Sequence, residues 1–321
     1  MKPLVSFVVP VLNGERDIAR CLLSIRDQRF SPTAYELLIM DNGSTDRTHQ
    51  IIRNQEFDFK VVPKVPVSTL RNCGVAMAQG EYVAFIDSDM ELAPHWLQSA
   101  LAGFEDQRVV ASGCTPDIPN KATWVQQTWS RHRRCRQSTG DPMPVHWLGS
   151  SNLIVRRDAF LAVGGFNENL PTAEDVDLCY RLAAHGTILH NPAMEAIHWG
   201  EDPDLPTFWR KEVWRGTGNL RGVLSHGFRW DEVPSLGYPL YIIAMGLLFC
   251  PALVVDMWQQ QILYTPLCLI LLVLPALVLA LKTARLANSA RAIPKLFLLY
   301  FIYGLARGYS IVKVGIALLR S

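Results

Sequence analysis

Two aspartates with one residue between them, Asp87-Ser88-Asp89, directly follow an apolar run at residues 82–86. Set in a loop at the end of a strand, such a pair can turn both carboxylates to one side, where they approach a hard cation bound to phosphates. Glu174-Asp175 stands at the start of a helical pattern. It offers a carboxylate to take a proton from a hydroxyl, or simply acids that favour the positive end of a helix. His198, ahead of Trp199-Gly200, is either a third metal ligand or a packed, hydrogen-bonded histidine. Arg71 and Asn72 fall early in the helical stretch before the acidic pair, where Arg71 could reach a base or phosphates or stand as an exposed helix arginine.

These side chains need a frame that gathers them. Up to about Met90, apolar runs alternate with segments of helical period, the pattern of an α/β fold with a mainly parallel, Rossmann-like central sheet and crossover helices. Strands are expected at residues 5–11, 37–40, 60–62 and 82–86. A first helix starts near Glu15 with Ile18, Leu22 and Ile25 inward, and a second runs from a cap at Ser44 or Thr45 to about Arg53. A third covers residues 68–79, with Ser68 as cap, Leu70, Cys73 and Met77 inward and Gly80 as stop. Further on, residues 96–104, 124–136, 157–163 and 175–185 read as helices, and 109–113 and 153–155 as strands. Ligands of parallel sheets bind at the carboxyl edge, so Pro10 to Asn13, Asp41-Asn42 and Asp87-Ser88-Asp89 are expected in one pocket.

The chain of 321 residues is long enough for one sizeable domain and an appendage. A net charge of +2 with scattered basic residues leaves no nucleic-acid footprint. Cys21, Cys73, Cys114, Cys135, Cys179, Cys250 and Cys268 form no Cys-x-x-Cys pair and read as free thiols in a reducing compartment. The early apolar run from Leu4 to Leu12 is broken by Pro10 and followed by Asn13-Gly14-Glu15-Arg16, so it reads as a buried strand and not a signal peptide.

Composition changes after Glu232, since residues 233–281 hold one charged side chain, Asp256. Residues 233–255 and 257–281 are each long enough to cross a bilayer, with Pro239, Pro251, Pro266 and Pro275 tolerated as kinks. The link from Asp256 to Gln261 has no Lys or Arg, whereas Arg221 and Arg229 precede the pair and Lys282, Arg285, Arg291 and Lys295 follow it. That bias predicts a multi-pass protein of the inner (cytoplasmic) membrane with its globular part in the cytoplasm. Residues 296–319, interrupted by Arg307 and Lys313, read as a third span or an interfacial helix, the span being favoured. Trp199, Phe208, Trp209, Trp214 and Trp230 surround Arg210, Lys211, Arg215 and Arg221. They suit a helix lying on the lipid bilayer, or one packed on the globular part with its charges solvated. The organisation expected is therefore 1–200, a linker region at 201–232, and a membrane region at 233–321.

Five segments occur together and in order: Ser6-Phe7-Val8-Val9-Pro10-Val11-Leu12-Asn13-Gly14-Glu15, Asp41-Asn42-Gly43-Ser44-Thr45-Asp46, Arg71-Asn72-Cys73-Gly74, Phe85-Ile86-Asp87-Ser88-Asp89 and Ala173-Glu174-Asp175-Val176-Asp177. Across about Lys2 to Gly200 the chain resembles the family 2 glycosyltransferases. The resemblance implies a GT-A fold, a nucleotide-sugar donor with UDP the nucleotide favoured, a divalent metal (Mg2+ or Mn2+), and single displacement with inversion. It also implies that Pro10, Asn13, Glu15, Asp41 and Arg71 line the nucleotide. Asp87 and Asp89 would serve ribose and metal, Asp175 with neighbouring Glu174 the proton transfer, and Gly149, Ser150, Ser151 and Asn152 the transferred sugar. Many relatives carry two acids where this chain has Asp41-Asn42, and Asn42 changes the donor pattern offered to a base. The Gln-x-x-Arg-Trp signature of processive synthases is missing, the region reading Phe208-Trp209-Arg210-Lys211-Glu212-Val213-Trp214-Arg215.

The expectation is thus transfer of a sugar to a hydroxyl or phosphate acceptor, lipid-linked or glycan, in cell-envelope synthesis. Two rivals stay open: a non-catalytic nucleotide-sugar-binding membrane scaffold, and a nucleotidyltransferase in which a related sheet and metal pair directs attack at phosphorus.

Overall fold

The computed structural model describes residues 2–134, 140–226 and 233–319. Cys135, Arg136, Arg229, Trp230 and Glu232, used above, lie outside the described residues. The chain forms two compact units: Met1–Lys121 with Gln137–Glu201, and Ala122–Arg136 with Asp202–Ser321. Dividing the chain at a single point near residue 200 leaves residues 122–134 on the first side, whereas their packing joins them to the second unit.

The first unit is built on an eight-stranded sheet. Its strands are β1 (Val5–Val11), β2 (Tyr35–Asp41), β3 (Phe59–Val61), β4 (Tyr82–Ile86), β6 (Val109–Gly113), β7 (Met143–Pro144), β8 (Asn152–Arg156) and β9 (Thr187–His190), in the order β3-β2-β1-β4-β8-β6-β9-β7. β5 (Met90–Leu92) and β10 (Ala196–His198) form a separate antiparallel pair. Every residue of β1 and of β4 is buried, as uninterrupted apolar runs covered on both faces require. Helices α1 (Ile18–Arg26) and α3 (Val67–Met77) cover the sheet beside α2 (Thr48–Asn54), α4 (Trp96–Ala102), α6 (Arg157–Ala162) and α7 (Glu174–Leu182). Fully buried Phe7, Phe85 and Trp96 anchor the two faces, each contributing on the order of 2–3 kcal/mol by leaving water.

Two features of this topology build a site. β1 pairs in parallel with β2 on one side and β4 on the other, so the crossover direction reverses between β1 and β4, the switch point at whose carboxyl ends such sheets bind ligands. β8 runs antiparallel to β4, with Asn152 opposite Ile86, so the chain entering β8 arrives at that same edge from the other direction.

Some local expectations need correction. Ser44 and Thr45 do not cap α2, whose N-cap is Arg47. The Ser44 hydroxyl is instead taken up by the amide of Asn13. α3 begins at Val67 after Pro66, which places Ser68 inside the helix and fully buried. Met77, expected inward, is exposed because it closes the helix. The strands β5, β7, β9 and β10 had no counterpart in the sequence reading, being two to four residues long and of mixed polarity.

The second unit packs α5 (Trp124–Arg134), α8 (Leu205–His226), α9 (Val233–Gln259), α10 (Tyr264–Leu286) and α11 (Ile293–Leu319) around Trp129, Phe208, Tyr238, Leu296 and Tyr300. Among the described residues three helical stretches are long and apolar enough to cross a membrane: Ser235–Gln259, Tyr264–Leu286 and Ala290–Ile316. Asp256, expected in the link between the first two, lies within α9. Its carboxylate accepts the amides of Leu263, Tyr264 and Thr265 and so caps α10, shortening the connection to residues 260–263. Arg307, the charge that interrupts α11, is ion-paired at 2.8 Å with buried Glu212 of α8. Lys211 and Arg215 bind buried Asp202 at 3.0 and 3.3 Å, so these cations are tied to acids and not left to solvent.

Candidate active site

At the carboxyl end of β1 and β2 two loops are laced together. The Asn13 amide donates to Ser44 Oγ and its side-chain oxygen accepts from the Thr45 amide, with φ of 52° at Asn13. Glu15 accepts from the amide and side chain of Arg47, and its own amide donates to Asp46. Pro10 is buried within β1 opposite Met40. Asn13 and Glu15 therefore set the loop geometry through their side chains, beside whatever contact they make with a nucleotide.

Asp41 lies beneath these loops and is fully buried. Burial pushes its carboxyl up, but hydrogen bonds from Ser44, His49 and Gly43 outweigh it and hold Asp41 below the usual carboxylate range. All of the 2.9 Å contacts fall on Oδ1, while Oδ2 has no hydrogen-bond partner among the described residues. A buried, ionised oxygen left open suits a ligand N–H or O–H donor. Asn42, in contrast, spends its amide on the backbone of Val65 in both directions. His49, stacked on Phe59 at 4.5 Å, was not singled out in the sequence, although it lies one helical turn beyond the Asp41 loop.

The two acids after β4 have different neighbours. Asp87 accepts from Arg71 at 2.7 Å, and Arg71 reaches Glu174 with its other terminal nitrogen at 2.8 Å. Arg71 is buried. Burial works against its charge, but Asp87 and Glu174 more than offset that and raise its pKa further. It is committed to two carboxylates and braces the site from beneath, contrary to a role as an exposed helix arginine. Asp89 faces His198 across the β5–β10 pair, Oδ1 to Nε2 at 3.2 Å, because the register sets His198 opposite Met90. Burial works against the His198 cation, but Asp89 and Glu201 overcome it and push the imidazole up to about 10. Glu201, 2.6 Å from His198 Nδ1, is a residue that sequence reasoning missed. Gly200 lies so close to the Asp89 carboxylate that any Cβ would collide with it.

Glu174 and Asp175 open α7, whose first turn carries three acids, after Ala173 in the left-handed region at φ 64°. Glu174 is buried and taken by Arg71, whereas Asp175 is half-buried and accepts the amide of Val176. Burial and the charge of Glu174 push Asp175 up to about 7. It sits against the loop before β8, where a Cβ on Gly149 would lie 3.7 Å from its Oδ2. In that loop the Ser151 carbonyl accepts from the Asp87 amide at 3.3 Å. Asn152 does not face outward as expected. It is fully buried, with its side chain bonded to Trp96 Nε1 and to the carbonyls of Cys114 and Met194.

Among the described residues no three His, Cys, Asp or Glu side chains form a complete metal cluster. Asp89 with His198 would give a partial donor set, one carboxylate and, once a cation displaces the Nε2 proton facing Asp89, one imidazole held through Nδ1 by Glu201, leaving further positions to phosphate oxygens and water. The residues present therefore fit a cation shared with a diphosphate better than one caged by protein alone.

With the strand ends, the open Asp41 oxygen and the paired acids in place, comparison with known proteins defines the class. Residues 6–164, about half of the chain, match the family model described as glycosyl transferase family 2 and form a domain of that family. It is 28% identical over 220 residues to validoxylamine A glucosyltransferase of Streptomyces hygroscopicus subsp. limoneus, covering 57% of this chain and 49% of that protein. It is also 28% identical over 208 residues to glycosyltransferase AglE of Haloferax volcanii, covering 60% and 67%. The chain thus spans about half the length of the first of these relatives. The fold is shared with mannosyltransferase PcManGT from Pyrobaculum calidifontis, solved in complex with GDP-Man and Mn2+, at TM-score 0.61 and 17% identity over 96% of this chain and 88% of that one. The architecture is GT-A.

Proposed function

We propose that the chain is a metal-dependent, inverting glycosyltransferase that takes a nucleotide sugar, with a UDP-sugar the donor favoured, and works at the inner membrane on a hydroxyl or phosphate acceptor, lipid-linked or glycan. The observation that carries the reading is the half-buried carboxylate Asp175, raised to about 7 beside the Gly149–Ser151 loop, while the part-exposed acids after β4 are already paired, Asp87 with Arg71 and Asp89 with His198.

In this reading Asp41 Oδ2 accepts an N–H of the base, and the Asn13–Glu15 loop borders the nucleotide. Asp87 holds the ribose or assists Asp89 and His198 at the diphosphate. Asp89 and His198 would hold a divalent cation, Mg2+ or Mn2+, whose chemistry when bound would be Lewis-acid neutralisation of the departing phosphate oxygens. Asp175 takes the proton of the acceptor hydroxyl as its oxygen bonds to the anomeric carbon. The bond from that carbon to the diphosphate oxygen breaks on the opposite face, and its electron pair leaves with the nucleoside diphosphate. The three apolar helices would keep this chemistry at a bilayer with the first unit in the cytoplasm.

The test is a donor panel on the purified chain with and without metal, reading nucleoside diphosphate release. Asp89→Ala is expected to lose 100-fold or more, on the order of a lost charge-stabilising group. Ordinary activity in that variant would overturn the reading, and release of pyrophosphate in place of nucleoside diphosphate would favour a nucleotidyltransferase.

A further inference from the structure

α5 interrupts the sequence of the first unit, between β6 and β8, yet packs in the second. Trp129 stacks on His132 at 4.5 Å and meets Tyr300 at 5.9 Å, and His132 Nδ1 lies 2.6 Å from the Tyr300 hydroxyl. This docking brings the exposed side of α5 to the turn between α10 and α11. Arg131 donates to Ser289 in that turn at 3.3 Å, and Lys295 lies 6.0 Å from the ring centre of half-exposed Trp124. Lys282, Arg285 and Arg291 are exposed around the same turn.

The sequences of α5, of α10 and of α11, with the turn joining the last two, contain no Asp or Glu at all. Five exposed cations from three segments therefore share one end of the helical hairpin without an acid on any of them. The opposite end, at the α9–α10 turn, has Asp256 and no Lys or Arg from residue 256 to 264. A concentration of positive charge beside an exposed indole, where two apolar helices emerge, matches the headgroup layer of an anionic bilayer in both polarity and depth profile. Self-repulsion among the five cations would be relieved by phosphate counter-charges from outside the chain.

We infer that Arg131, Lys282, Arg285, Arg291 and Lys295, with Trp124, form a collar that binds the phosphate headgroups of anionic phospholipids, and that α5 is the element recruited to complete it. This rests on the reading of α9, α10 and α11 as membrane spans.

The full chain in neutral detergent, offered phosphatidylglycerol and phosphatidylcholine in competition, is expected to retain the anionic lipid by native mass spectrometry, with a preference that weakens as salt rises. Arg131→Gln, Arg285→Gln and Lys295→Gln are each expected to reduce that preference by about fivefold, and the three together by about 100-fold. The remote pair Arg16→Gln with Arg26→Gln, in the first unit, is expected to leave it unchanged. Equal retention of both lipids by the wild type would overturn the collar, as would an equal loss in the remote pair. Competition by inorganic phosphate at the strength of the lipid would overturn the assignment to a lipid. A thermal transition in detergent unchanged in the triple variant shows that it has folded, and the single variants carry the test where it has not. Alkaline carbonate extraction separates the underlying premise: a chain washed from membranes refutes the spans, and a chain that stays but shows no lipid preference refutes the collar alone.

Discussion

Arg71 in the first unit and Arg307 in the second are both arginines held by buried carboxylates. Arg71 joins Glu174 to Asp87, a residue still one-third exposed, and the charges around it reach Asp175. Arg307 meets Glu212, which is almost wholly enclosed and bound as well by Arg215. The first pair borders the half-buried Asp175, to which we assign the proton transfer, while the second closes on itself and fixes how α8 meets α11. Burial of charge therefore signals chemistry only where a neighbouring group remains uncommitted.

The largest expected effect tests the open member of the first set. Asp175→Asn keeps the shape and removes the base, and should lower kcat by 100-fold to 10,000-fold with donor affinity retained, measured by steady-state kinetics and donor titration. A residual rate near wild type would make Asp175 another structural acid and erase the contrast.

Next come the two arginines themselves. Arg307→Met leaves Glu212 with Arg215 alone and should cost about 3 kcal/mol of stability, read as a lowered unfolding transition in detergent, with kcat per folded molecule unchanged. Pairing it with Glu212→Gln should recover most of that loss. Arg71→Met strands Glu174 and half of Asp87, and should depress both stability and kcat. Equal behaviour of the two variants would break the comparison.

A smaller effect sharpens it. A base must be deprotonated to act, so with Asp175 raised to about 7 the rate should climb with pH through neutrality and level off above it. Glu174→Gln removes a charge that raises Asp175, so the rising limb should move to lower pH. An unmoved limb would mean that Glu174 only anchors Arg71.

What the sequence revealed follows from where the determining contacts lie. β1 and β4 match the expected spans because β-branched and aromatic residues fill them and specify buried strands locally, and β6 matches on its opening Val109-Val110 pair. The short strand β10 was invisible, since its register against β5 depends on a partner about 100 residues away. The fate of each candidate depended on similar long-range contacts. Arg71 finds its acids at positions 87 and 174, and the Asn152 amide is consumed by Trp96, Cys114 and Met194. Glu201 had a local signal, three residues beyond His198, and His49 another, eight beyond Asp41.

The second unit offers one more buried acid with a structural task. Asp256 is the only charged residue in the stretch from 233 to 281, and an acid in so apolar a run invites a functional reading. Its two oxygens accept the amides of Leu263, Tyr264 and Thr265 at 2.7–3.1 Å, which satisfies donors at the start of α10 that have no helical partner. Asp256→Ala should therefore cost on the order of 1–2 kcal/mol, seen as a modest drop in the thermal transition, and leave transfer kinetics alone. Asp256→Asn, which keeps an acceptor oxygen, should cost less. If the Asn variant instead abolished activity while the transition held, the charge would be needed for function, and the division between the two units' buried acids would fail at that residue.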